Sequence, residues 1–259
     1  MTLSNINTAS ILSTPLAVGR TIHSRLGLLA TTLVMGFAPE TACAAEVLVI
    51  YDSLDNETGH IALVLKRQGH TVVLSDTDET GYDGTNPSPY NFDVVVHLDG
   101  STAEDEMPTA GQEELLAFVQ DGGGYLHTEW LSFEVHQGRM LAMQELILFD
   151  FLEGAGNRGL VYSEVAAQAG HPILANTPAT FWVYGLGYSR VKARVDPLEP
   201  ITVLMTDDDG NDAIAVREYG AGRIVGFHLT PNWMATFGGP YTDPDIKQLV
   251  VDAVEWLAP

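Results

Sequence analysis

The chain has 259 residues, 46% of them hydrophobic, which is ample for one large buried core. Its formal charge of −22 excludes a general nucleic-acid partner, because neutralising phosphate needs a basic face, and disfavours anionic membrane surfaces. A solvated acidic surface is the ordinary meaning of such a balance, with a saline habitat or multivalent cations as alternatives.

Residues 1–45 read as an export signal. Arg20, His23 and Arg25, with no acid nearby, precede the apolar run Leu26 to Phe37, which is too short to span a bilayer. Ala42-Cys43-Ala44 then supplies a small-x-small cleavage pattern. The competing reading is an uncleaved anchor. Cleavage gives a periplasmic or extracellular protein with no stable membrane insertion. It also removes Cys43, the chain's only cysteine, and with it disulfides, thiolate metal sites and cysteine nucleophiles.

The mature chain opens on Glu46 to Asp52, a continuous apolar run of the kind that is buried on both faces. Helix-spaced Ile61, Leu63, Val64 and Leu65 follow, stopping at Gly69. Thr71–Leu74 is a second strand, Asp76–Tyr90 a Gly/Pro-rich loop, and Asp93–Leu98 a third strand. The spacing predicts a helix over Thr109–Gln120, then the glycine turn Gly122-Gly123-Gly124 and a strand over Tyr125–Thr128. Strands alternating with helices argue for a mostly parallel open sheet with helices on both faces.

Phe133 to Phe151 reads as a long helix ended by Gly154-Ala155-Gly156. Short β candidates come next, at Val161–Ala166, Thr180–Tyr184, Ser189–Val195, Ile201–Thr206, Ala213–Glu218 and Arg223–Leu229. They form an antiparallel extension with hairpin loops at Asp208-Asp209-Gly210-Asn211 and Tyr219-Gly220-Ala221-Gly222. One apolar stripe (Ile246, Leu249, Val250, Ala253, Val254, Leu257) marks a closing helix over Asp245–Leu257. The expected architecture is therefore a single α/β domain over residues 46–259.

Glu129 follows the fourth strand where open α/β folds display a nucleophile, at the start of a helix whose backbone N–H groups should face its carboxylate. A general acid/base role fits that position, and so does a helix cap. His228 ends a late strand and is the natural partner for activating water. Asp52 and Asp55 follow the first strand, and Asp99 the third, at the edge where such sheets bind ligands; together with Glu129 they could line an acidic mouth able to hold a hard cation, with ordinary loop and cap acids as the alternative. His127 shares the fourth strand with the elbow, and the rings of Trp130 and Trp233 flank the two site residues, suited to the apolar faces of sugars. A core role is the alternative for each of these three. The acidic run Asp207 to Asp212 lacks EF-hand spacing and reads as a turn. With no phosphate loop and no dinucleotide fingerprint, the sequence implies no cofactor and no resident metal.

The order of these elements resembles the class I glutamine amidotransferase-like superfamily, and within it the ThuA-like (trehalose-utilisation) branch. The residues that carry the resemblance are Gly122-Gly123-Gly124 before the elbow, His171-Pro172-Ile173-Leu174 with Phe181-Trp182, Arg217 to Val225, and Asp243-Pro244-Asp245 with Ala253-Val254-Glu255-Trp256. The resemblance implies a flavodoxin-like fold, a sugar-related role and a homodimer or larger assembly. The chain departs from the family at its chemistry. Glu129 stands where amidotransferases hold Cys, and Thr230 stands where they hold the acid two residues after the His matched by His228. Thioester-based glutamine hydrolysis is thereby excluded. Three functions remain open: a non-thiol hydrolase or lyase acting on carbohydrate or another small molecule, a binding or protein-interaction module that kept the fold without the chemistry, and a divalent-cation protein.

Overall fold

The computed structural model describes residues 44–54, 56–100, 105–155, 158–185, 188–196, 200–230 and 239–259. Residues 1–43 of the expected export signal, Asp55 and Trp233 lie outside these residues, while Ala45, at the end of that expected segment, is buried in the core. Continuous apolar runs become β1 (Glu46–Tyr51) and β3 (Val94–Leu98), joined by β2 (Thr71–Leu74) and β4 (Gly124–His127). These strands pair in parallel, β2 with β1, β1 with β3 and β3 with β4. Between them run α1 (Asn56–Arg67) and α2 (Thr109–Gln120). Gly69 adopts φ 99° just past α1, a left-handed turn that a side chain would resist.

Alternate residues of β1 feed two cores on opposite faces of the sheet. Val47 and Val49 pack with Ile61 and Leu65 of α1 and with Leu249 and Val250 of the closing helix α4 (Pro244–Leu257). Leu48 and Ile50 pack with Leu115, Phe118 and Val119 of α2. Helices therefore cover both faces, as the unbroken hydrophobicity of the strands requires. Asp243 caps α4 by accepting from the amides of Asp245 and Ile246, with Pro244 at the first helical position.

The antiparallel extension is continuous with the parallel half. It comprises β6 (Arg158–Glu164), β7 (Thr180–Gly185), β9 (Thr202–Asp207), β10 (Asp212–Tyr219) and β11 (Gly222–Phe227). The resulting nine-stranded order is β2-β1-β3-β4-β11-β10-β9-β6-β7. Late in the chain, β11 pairs in parallel with β4, Gly226 opposite His127, so the end of β11 lies beside the elbow.

The expected helix over Phe133–Phe151 does not form. The segment divides into a short α3 (Leu131–His136), a 3-10 turn at Leu141–Leu146, and β5 (Phe149–Ala155). Gly138 at φ 83° and Met140 at φ 53° stop the helix. From Phe149 onward the chain pairs antiparallel with β8 (Tyr188–Ala193) in a separate two-stranded ribbon. The apolar run was dense enough to satisfy either period, and pairing with β8 decided it. Among the described residues, no helix is long and apolar enough to cross a membrane.

Candidate active site

Glu129 stands at the elbow between β4 and α3, completely buried. Its backbone N–H donates to the Leu229 carbonyl (3.2 Å), tying the elbow to the end of β11, and the Glu129–Trp130 peptide is cis. The Ser132 hydroxyl donates to Oε1, while Oε2 has no hydrogen-bond partner among the described residues. Burial pushes the carboxyl up to about 7; the Ser132 and Ser189 hydroxyls and the Phe133 and Ser132 amides oppose that shift. The Ser189 hydroxyl is close enough to favour the charged form without closing a well-formed hydrogen bond. The carboxyl therefore sits at a helix start, as expected, but enclosed rather than exposed.

His228 also lies fully buried, between the rings of Tyr162 (5.5 Å) and Tyr188 (5.8 Å). Its Nε2 faces Asp207 Oδ2 at 3.6 Å and its Nδ1 faces the Ser189 carbonyl at 3.3 Å. Burial lowers its pKa, and the Asp207 carboxylate works against that. Among the described residues no hydrogen bond joins Glu129 to His228; Ser189 neighbours both, its carbonyl facing His228 and its hydroxyl near Glu129. Asp207 is itself fixed by the amides of Asp209 and Asn211 and by the Asn211 side chain (2.9, 2.9 and 2.7 Å). The acid missing at Thr230 thus has a counterpart from the end of β9.

Asp52 belongs to a second buried group, at the ends of β1 and β3. The His97 Nε2 lies 2.7 Å from Glu79 Oε2, and its Nδ1 lies 2.8 Å from the Tyr125 hydroxyl. Burial drives the His97 pKa down to about 3, so the ring is neutral; the network then assigns its proton to Nε2 and makes Tyr125 the donor to Nδ1. Asp99 adjoins Glu79, and burial followed by that neighbouring charge holds its carboxyl well above the usual range, with Asp52 adding to the repulsion. The Asp52 Oδ1 accepts from the Ser53 amide at 2.6 Å.

His127 packs in the core, the alternative role that the sequence left open for it. Its Nε2 accepts from the Leu148 amide (3.1 Å), its ring meets Phe149 at 5.7 Å, and burial lowers its pKa to about 3. Trp130 is half-buried against Phe133, 5.4 Å between ring centres. Glu57 and Tyr241 complete the surroundings: both are buried, the Tyr241 hydroxyl donates to Leu229 O, and burial followed by the charges of Glu57 and Glu129 raises its pKa. Among the described residues, no three His, Cys, Asp or Glu side chains are placed to hold a metal ion. Sequence reasoning passed over Glu79, His97, Ser132 and Ser189, and read Asp207 only as part of a turn. His97 carried a signal, since a polar residue inside the run Val94–Leu98 must find a buried partner.

No protein-family model matches the sequence, and neither does any curated protein. Solved structures do. A cytoplasmic protein of Salmonella typhimurium LT2 superposes with TM-score 0.61 at 15% identity, over 83% of this chain and 100% of its own. A protein from Parabacteroides merdae described as ThuA-like gives 0.60 at 14%, over 83% and 90%. A β-galactosidase from Rahnella sp. R3 gives 0.53 at 14%, over 83% of this chain but 32% of its own. At these identities the likeness is one of fold: the chain has a ThuA-like, amidotransferase-like fold.

Proposed function

We propose that this chain, which carries the ThuA-like amidotransferase-like fold, is an exported hydrolase or lyase that works by acid–base chemistry without a thiol. Its substrate class is carbohydrate or another small hydroxylated molecule. The observation that carries this reading is the elbow carboxyl of Glu129, buried and poised at about 7. A group with that pKa is half protonated near neutral pH, where proton transfer in either direction is most effective. Perturbed carboxyls of this kind cluster at functional sites.

In hydrolysis, which requires the elbow to open and admit substrate to the enclosed carboxyl, protonated Glu129 gives its proton from Oε2 to the leaving oxygen while Ser132 holds Oε1. Water adds its hydroxyl to the other fragment, and its remaining proton restores the carboxyl. His228, held against Asp207 and the Ser189 carbonyl, is the second group able to carry a proton. The carbohydrate class rests on the aromatic ring of Trp130 beside the elbow; the β-galactosidase likeness is one of fold and adds no substrate.

A second reading, a binding module that has lost catalysis, is favoured by the complete enclosure of Glu129 and by its Ser132 and helix-start contacts. The two separate in one experiment. Wild type and Glu129→Gln are compared on a panel of nitrophenyl glycosides. The enzyme reading expects turnover by wild type and a loss of about 10²–10⁴-fold in kcat in the variant; equal rates in the two proteins contradict it. Export is tested by sequencing the N-terminus of the protein recovered outside the cytoplasm, which should begin near residue 45.

A further inference from the structure

Glu129 and His228 follow the ends of β4 and β11. At the end of the sheet where those strands begin, a cleft of about 540 Å³ opens between α4, the two 3-10 turns after β6, and the facing ends of β9 and β10. That volume lies within the range of small-molecule clefts, about 300–1,000 Å³. Trp256 of α4 forms one wall, with the His171 ring 5.4 Å away and the Arg223 guanidinium 5.2 Å from the indole. Arg223 Nη1 also donates to the Trp256 carbonyl at 2.7 Å, so this aromatic wall is fixed in advance.

The polar lining is mixed in sense. His171 Nδ1 accepts from the Ile173 amide (3.3 Å), which leaves Nε2 as the donor of the neutral ring. Burial keeps that ring's pKa below its ordinary value. Gln168 and Thr202 each offer both a donor and an acceptor, and exposed Glu218 offers acceptors alone. Arg217 borders the cleft, but its guanidinium is engaged by Asp196 (2.8 Å) and the Tyr219 ring (4.9 Å). An anion would meet the Glu218 carboxylate and a chain of net charge −22, while the Arg223 guanidinium, like that of Arg217, is already engaged, by the Trp256 ring and carbonyl. A neutral ring bearing several hydroxyls fits better, because each hydroxyl both donates and accepts and the ring's C–H face suits an aromatic wall.

We infer that this cleft is a saccharide-binding site, separate from the elbow and independent of whether Glu129 catalyses. The test is calorimetry on the full chain with maltose, cellobiose, lactose and inorganic phosphate as probes. Wild type should bind at least one disaccharide and show no heat with phosphate. Glu218→Gln and Gln168→Ala should each weaken that binding by about tenfold, the cost of one hydrogen bond to the ligand. Glu129→Gln should bind as wild type does and lose affinity with the same two cleft substitutions, which separates this site from the elbow. Absence of disaccharide binding overturns the inference, as does phosphate binding, indifference to both cleft variants, or loss of binding in Glu129→Gln.

Discussion

Replacing Glu129 by glutamine keeps the shape of the side chain and removes its titration. In the fold the carboxyl holds its proton up to about pH 7, against an ordinary value of 4.5. Below pH 4.5 both folded and unfolded chains are protonated there, and the group's favourable contribution is complete. As pH rises toward 7, the unfolded chain ionises while the fold does not, and stability is lost by roughly 3 kcal/mol. Glu129→Gln lacks that loss, so its stability relative to wild type should rise by about that amount between pH 4.5 and 8, read from urea denaturation at each pH. Asp207 is the other informative side chain. Asp207→Ala strands the buried amide of Asn211 and removes the acceptor of the Asp209 amide in the exposed turn beside it, and should cost about 1–3 kcal/mol by the same assay. At this scale the sequence revealed position better than partnership. Glu129 and His228 could be picked out because each follows a strand, whereas Ser132, Ser189 and Asp207 meet them through contacts whose geometry no local pattern encodes.

Elements were legible wherever one period dominated. The runs Thr71–Leu74 and Thr109–Gln120 form over the predicted residues, and both C-terminal hairpins turn where Gly210 and Gly220 allow it. The segment after the elbow was misread because its apolar residues suit a helix and a strand equally, and only the β8 partner selects between them. The glycine run before β4 has a packing reason as well as a turn. A Cβ on Gly124 would lie 2.7 Å from the Leu257 Cβ and 2.8 Å from the Leu257 carbonyl oxygen, so α4 can rest on β4 only without that carbon. Gly124→Ala should therefore cost about 1–3 kcal/mol, seen as a lower denaturant midpoint at unchanged slope.

Across the whole molecule, parallel strands bring their ends to one edge, and there the chain concentrates buried acids. Asp52 and Glu57 follow β1, Asp99 follows β3, and Glu129 follows β4, with Glu79 packed against Asp99. A sheet gathers such residues from distant parts of the sequence, which is why their order was readable and their grouping was not. Asp52 belongs with His97 and Asp99, while Glu129 belongs with Ser132, Ser189 and the end of β11. Burying carboxyls costs stability unless they are protonated or paired, and the raised values at Asp99 and Glu129 express that cost. The most direct test is a carbon-13 NMR titration of the Glu129 carboxyl in the full chain, assigned by its disappearance in Glu129→Gln. A midpoint near 7 is the expected result, whereas a midpoint between about 4 and 5, the ordinary range for glutamate, would contradict it.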